Sequence, residues 1–234
     1  YFYWDKGSRS GEVVLKLFSG YQGALQTDGY ERYELLDGRK GVMLLACWAH
    51  ARRKFSDSIK NDKERAESAL DQIQLLYEVE RQIKDQSLSF EDAAKLRERL
   101  AYPIMVRFEK WLVAEHAKVI KGSPIEKAIL YTYNRFNKLS RYHLDGRYNI
   151  DNNGIENAAR PVAVGRKNYL FCQNDDTAES TAIIYSLMGC CKAAEVDFRK
   201  WLIYFLDHVH DYDENYDKDI ADLLPDNLRK AGIL

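Results

Sequence analysis

Six consecutive apolar residues, Val42-Met43-Leu44-Leu45-Ala46-Cys47, constrain the fold of this chain more than any other feature. The run is far short of the roughly 20 residues a membrane span requires. Bounded by turn signals, it reads as a strand covered on both faces, the usual state of a strand in a parallel sheet. Its surroundings agree. Tyr1-Phe2-Tyr3-Trp4 is aromatic strand material, and Ser10-Gly11-Glu12 opens an amphipathic helix with Val13, Val14, Leu17 and Phe18 on one face. Ala24-Leu25-Gln26-Thr27 is a second strand, ending at Asp28-Gly29, and a short helix over Glu31–Leu36 leads to the Asp37-Gly38 turn. Strand, helix, strand, helix, strand predicts an α/β layer with parallel neighbours. A domain that opens inside an apparent strand reads as cut from something longer.

From about Ala49 to His143 the signals are helical only. Ala69, Leu70, Ile73, Leu76, Tyr77 and Ile83 follow a 3.6-residue period. A second stretch, Phe90–Leu100, is interrupted at Pro103 and resumes through Phe108, Trp111 and Leu112. Ser123-Pro124-Ile125-Glu126 is a capping box with proline at the first helical position. The chain then passes through Arg147–Asn153 to two further helices, Ala178–Ala194 and Asp197–His210, the second capped by Asp197. An acidic tail starts at Asp211. Composition excludes disorder, with 46% hydrophobic residues, and a net charge of −1 excludes a uniformly basic nucleic-acid coat. The four cysteines are scattered or adjacent, unlike a disulfide framework, which suits a reducing compartment.

Three segments carry possible chemistry. Asp28 ends a strand, where parallel sheets collect ligands, and its carboxylate suits Mg²⁺. The same dipeptide is equally an ordinary turn, and Asp37-Gly38 and Asp145-Gly146 look no different locally. Asn152-Asn153-Gly154-Ile155-Glu156 reads either as a helix start, with Asn153 as N-cap and Glu156 as its capping partner, or as a carboxylate facing a metal with Arg160 one turn on. Val164–Phe171 follows it and places Arg160, Arg166 and Lys167 near that carboxylate, which suits phosphate contacts. Cys47-Trp48-Ala49-His50 is a C-x-x-H spacing followed by Arg52-Arg53-Lys54. No second ligand pair stands at finger-like spacing, so a structural pair beside a basic patch is the simpler reading than zinc.

Taken together, Leu25–Tyr30, Cys47–Phe55, Ile150-Asp151-Asn152-Asn153 with Glu156, Arg160-Pro161 and Gly165-Arg166-Lys167-Asn168 resemble the transposases of the insertion-sequence 66 family, in the same order and over nearly the whole chain. The resemblance implies a DDE enzyme with an RNase H-like (retroviral-integrase-type) mixed sheet and flanking helices, interrupted by an all-helical insertion. It implies a first catalytic part over residues 1–54, the insertion over 55–145, a second catalytic part over 146–210 and a tail over 211–234. Asp28 and Glu156 look like the second and third acidic residues of the triad and its metal ligands. Cys47, His50, Asp151, Asn152 and Asn153 look like structural signature positions, and Arg52, Arg53, Arg160, Arg166 and Lys167 like DNA contacts. The first aspartate is expected on a strand upstream, and Asp5 is not assigned to that role.

For such an enzyme, two Mg²⁺ (or Mn²⁺) roughly 3.5–4 Å apart serve in-line phosphoryl transfer, first to water and then to target DNA. Without the upstream aspartate the chain alone is expected to bind no metal and to cut no DNA. The implied partners are DNA at element ends and target, further copies of the chain in a synaptic complex, and accessory proteins of the same element, with no membrane. The implied location is the bacterial cytoplasm, at the nucleoid when bound to DNA. Two other readings are a metal-dependent nuclease of RNase H type and a catalytically dead DNA-binding or assembly module.

Overall fold

The computed structural model describes residues 1–8, 10–169, 171–213 and 218–234. Leu170, in the basic segment, and residues 214–217, in the acidic tail, lie outside the described residues. Contacts divide the chain into two units: Arg9–Ile155, and Tyr1–Ser8 together with Glu156–Leu234.

The larger unit starts with helix α1 (Gly11–Leu17), strand β1 (Gly23–Thr27), a 3-10 turn over Glu31–Leu36 and strand β2 (Val42–Ala46). The strands pair in parallel, Leu25 opposite Leu44 and Thr27 opposite Ala46. Helices then follow without a further strand among the described residues: α2 (Trp48–Ser58), α3 (Lys63–Asp85), α4 (Phe90–Leu96), α5 (Tyr102–His116), α6 (Pro124–Asn134) and α7 (Phe136–Ser140). Their starts obey local chemistry. Asp62, Ser89 and Ser123 each accept the backbone N–H three residues on. The Glu126 carboxylate takes the Gly122 N–H, one residue before the cap itself. Between α4 and α5 the helix widens into a π turn over Arg97–Ala101 instead of breaking. Pro103, which cannot donate a backbone N–H, sits in the first turn of α5, where that loss costs least.

The core of this unit is aromatic. Trp48, Phe55 and Phe108 are fully buried, Phe136 is 5% exposed, and the rings of Trp48 and Phe108 and of Phe55 and Phe108 lie 6.1 Å apart. Ile73, Leu76 and Ile129 join them, and Trp111 packs against the group half-buried. The Trp48 indole N–H donates to the Leu139 carbonyl at 2.9 Å, fixing α2 to α7.

The expected mixed RNase H-like sheet is absent among the described residues: the fold is overwhelmingly helical, and its sheet has two parallel strands. The Val42–Cys47 run is buried by helices, not by neighbouring strands. Helix α7 packs on β2, and the Arg141 guanidinium donates to the Leu44 carbonyl at 2.9 Å, serving a backbone acceptor with a side chain. Tyr1–Trp4, read as a strand, is irregular; its aromatic residues have strand propensity but no strand to pair with.

The second unit holds helices α8 (Asn153–Tyr169, whose first three residues belong to the larger unit), α9 (Asp175–Ala193), α10 (Phe198–His208) and α11 (Pro225–Lys230). Asp197 caps α10 by accepting the Lys200 N–H. A small core of Cys191, Val196, Trp201 and Leu228 is tied by the Trp201 indole N–H donating to the Leu223 carbonyl at 2.8 Å. The Phe2 N–H donates to Ser186 Oγ at 2.7 Å. No helix of the described residues is long and apolar enough to cross a membrane.

Candidate functional site

Three segments separated widely in sequence meet at the C-terminal edge of the two-stranded sheet. The Gln26 side-chain amide, near the end of β1, donates to the Asn149 carbonyl at 2.9 Å. The Trp48 N–H, just after β2, donates to the Ile150 carbonyl at 3.1 Å. The Asn152 N–H reaches the Cys47 sulfur at 3.5 Å. Thus the strand leading to Asp28, the C-x-x-H segment and the Asp151-Asn152-Asn153 segment form one assembly.

Asp28 is exposed at the end of β1. Its Oδ1 accepts the Tyr30 N–H at 2.9 Å, and its main-chain carbonyl accepts the Tyr131 hydroxyl at 3.1 Å. Arg135 donates to the Gly29 carbonyl and lies over the Tyr131 ring, 4.3 Å from its centre. Gly29 has φ +86°, and a Cβ there would stand 2.7 Å from Arg135 Nε, so glycine is required both by conformation and by contact. Burial and the Asp28 charge push the Tyr33 phenol up.

The three Asp-Gly pairs, alike in sequence, differ in space. Asp37 is ion-paired with Lys138 at 3.1 Å and Arg141 at 3.7 Å. Asp145 is paired with Arg147 at 2.5 Å, which lowers its carboxyl to about 2. Asp28 makes no ion pair with any described residue.

Cys47 is buried and stands as N-cap of α2, and its sulfur takes the N–H of Asn152. Burial nevertheless pushes its thiol up. This is a structural link between β2 and the Asp151–Asn153 segment. Among the described residues no three His, Cys, Asp or Glu side chains lie close enough to share a metal ion. Asp151 is held twice: its Oδ2 accepts the Tyr77 hydroxyl at 2.8 Å, and its Oδ1 accepts the Asn153 N–H at 3.0 Å. Asp151 thus takes the N–H of the first helical residue of α8, which is Asn153, the residue read from sequence as its N-cap. The Asn152 side-chain oxygen is buried with no hydrogen-bond partner among the described residues.

Glu156 is half-buried in the first turn of α8; Arg160, Arg166 and Lys167 lie exposed further along it. A Cβ at Gly165 would meet the Tyr185 hydroxyl at 2.3 Å, so this glycine admits α9 against α8. Arg52 and Arg53 are exposed on α2. Tyr77, Tyr131 and Arg135, which hold the Asp28 and Asp151 segments in place, were not legible as site residues. Each lies in a stretch whose periodicity signals only core packing.

The profile of the IS66 transposase family matches residues 1–180. The chain belongs to that family. A Sinorhizobium fredii protein, y4hP, is 31% identical over 98% of this chain and 44% of its own length. A second from the same organism, y4jD, is 31% identical over 86% of the chain and 40% of its own length. The Escherichia coli protein YuaK is 38% identical over 18% of the chain and 45% of its own length. No solved structure matches. This IS66-family chain thus spans less than half the length of the larger curated relatives it matches.

Proposed function

We propose that this IS66-family chain is part of an enzyme that cuts and joins DNA by divalent-metal-dependent phosphoryl transfer, with Asp28 and Glu156 among its catalytic carboxylates. The observation that carries the reading is the exposed Asp28 carboxylate, without an ion pair among the described residues, at the end of a strand whose Gln26 is hydrogen-bonded to Asn149, just before the Ile150–Asn153 segment. Asp28 and Glu156 supply the hard oxygen donors that Mg²⁺ prefers. Bound there, the metal would stabilise charge developing on the transferring phosphate.

The protein's own groups do the positioning. Tyr131 and Arg135 fix the main chain on both sides of the Asp28–Gly29 bond, and the Tyr30 N–H orients the carboxylate. Tyr77 and Cys47 hold the segment from which the Glu156 helix starts. Arg160, Arg166 and Lys167 on that helix, and Arg52 and Arg53 on α2, are the exposed cations that this reading assigns to phosphate contact. Joining two element ends calls for more than one copy of the chain.

The test is cleavage of element-end DNA with Mn²⁺ by a protein spanning the length of the relatives. Asp28→Asn and Glu156→Gln should each bring cleavage and strand joining to background with the far-ultraviolet spectrum unchanged. Wild-type cleavage by Asp28→Asn would overturn the assignment.

A further inference from the structure

We propose that the trough between α2 and α3 is a binding site for the sugar-phosphate backbone of a DNA strand, with Arg81 and Gln74 of α3 as contact residues beside Arg52 and Arg53. The trough has a volume of about 470 Å³ and is lined by Ala49, Arg52, Arg53 and Ser56 of α2, Gln74, Tyr77 and Arg81 of α3, and Asn153. The α2 residues recur at intervals of three, one and three, and the α3 residues at three and four, so each set is one face of its helix.

Chemistry selects the ligand. The lining carries three guanidinium groups and no carboxylate, which suits a polyanion. In this unit Arg65 is ion-paired with Asp62 and Glu115, Arg97 with Glu80, and Arg147 with Asp145. Arg52 and Arg81 make no ion pair within 4 Å among the described residues. Gln74, Ser56 and Asn153 add neutral polar groups. The one aromatic lining residue, Tyr77, commits its hydroxyl to Asp151, leaving little with which to read bases. An open trough of donors without base-reading groups fits backbone contact, which positions DNA without specifying sequence. Asn153, the first residue of α8, is among the lining residues. The choice of DNA over another polyanion rests on the transposase reading.

The test is binding of the 234-residue chain to labelled duplexes of two unrelated sequences between about 50 and 200 mM salt. Arg81→Gln should weaken both complexes alike and reduce the magnitude of the slope of log K against log salt by about 0.9. Arg81→Lys should restore the slope. Gln74→Ala should weaken binding without changing the slope, and Lys121→Gln, outside the trough, should change neither. An Arg81→Gln slope equal to wild type, an equal effect from Lys121→Gln, or no duplex binding by the wild type at the lowest salt would each overturn the proposal. Cleavage by the longer protein tests the catalytic reading separately, so either can fail while the other stands.

Discussion

The hydroxyl of Tyr77 is one atom on which the geometry of the site depends. It donates to Asp151 Oδ2 at 2.8 Å, and the other oxygen of that carboxylate accepts the N–H of Asn153, the first residue of α8. Burial and the negative charge of Asp151 both raise the phenol pKa above its ordinary value, so the group is a donor at neutral pH. Tyr77→Phe removes this donor and almost nothing else. A hydrogen bond to a charged group contributes about 1.5–3 kcal/mol, and half-burial argues for the lower end. At about 2–4 °C per kcal/mol for a unit of this size, the variant should melt about 3–6 °C lower. Trp48 and Trp111 make fluorescence a reporter of this unit under denaturant. Asp151→Asn and the double variant complete a cycle whose coupling should be about 1 kcal/mol or more. Additivity of the two single changes within about 0.3 kcal/mol would refute the link between α3 and the start of the Glu156 helix.

Arg97→Met should destabilise the larger unit by about 3–5 kcal/mol, because it strands the Glu80 carboxylate and two carbonyls that Arg97 serves while itself 3% exposed. Denaturant titration checks this, and replacing Glu80 as well should recover much of the loss. Alkylation with iodoacetamide at neutral pH, mapped by mass spectrometry, should modify the exposed Cys190 well before the buried Cys47, whose thiol is raised; equal rates would contradict the structural role of Cys47. Asp145 has a depressed carboxyl through Arg147, so its stabilising contribution is present above its ordinary value of 3.8 and is lost as pH falls toward about 2. Asp145→Asn should therefore flatten the acid limb of a stability-against-pH curve, and an unchanged limb would refute the pairing.

What the sequence disclosed was local. The Ser123 and Asp197 caps depend on neighbours within a few residues, and both are in place. Ile73, Leu76, Phe108, Ile129 and Phe136 are buried as their spacing indicates, with Trp111 only half-covered. Long-range matters were not disclosed. An apolar run is buried identically by strands or by helices, so Val42–Cys47 gave no warning that α7 and Arg141 stand beside β2. The π turn at Arg97 has no periodic signature of its own, and Pro103 marked only the neighbourhood of an irregularity. Cys47 read as part of a structural pair, but its partner, the Asn152 N–H, lies 105 positions away and had no local signal. The three Asp-Gly pairs, identical in sequence, differ in space by the cations around two of them.

The most direct measurement is the anomalous signal of Mn²⁺ in crystals of the relative-length protein with element-end DNA. The account predicts a Mn²⁺ peak about 2.1–2.3 Å from a carboxylate oxygen of Asp28, with Glu156 on the same ion or its close neighbour. An ordered site with the two carboxylates more than about 12 Å apart, or manganese bound away from Asp28, would contradict it.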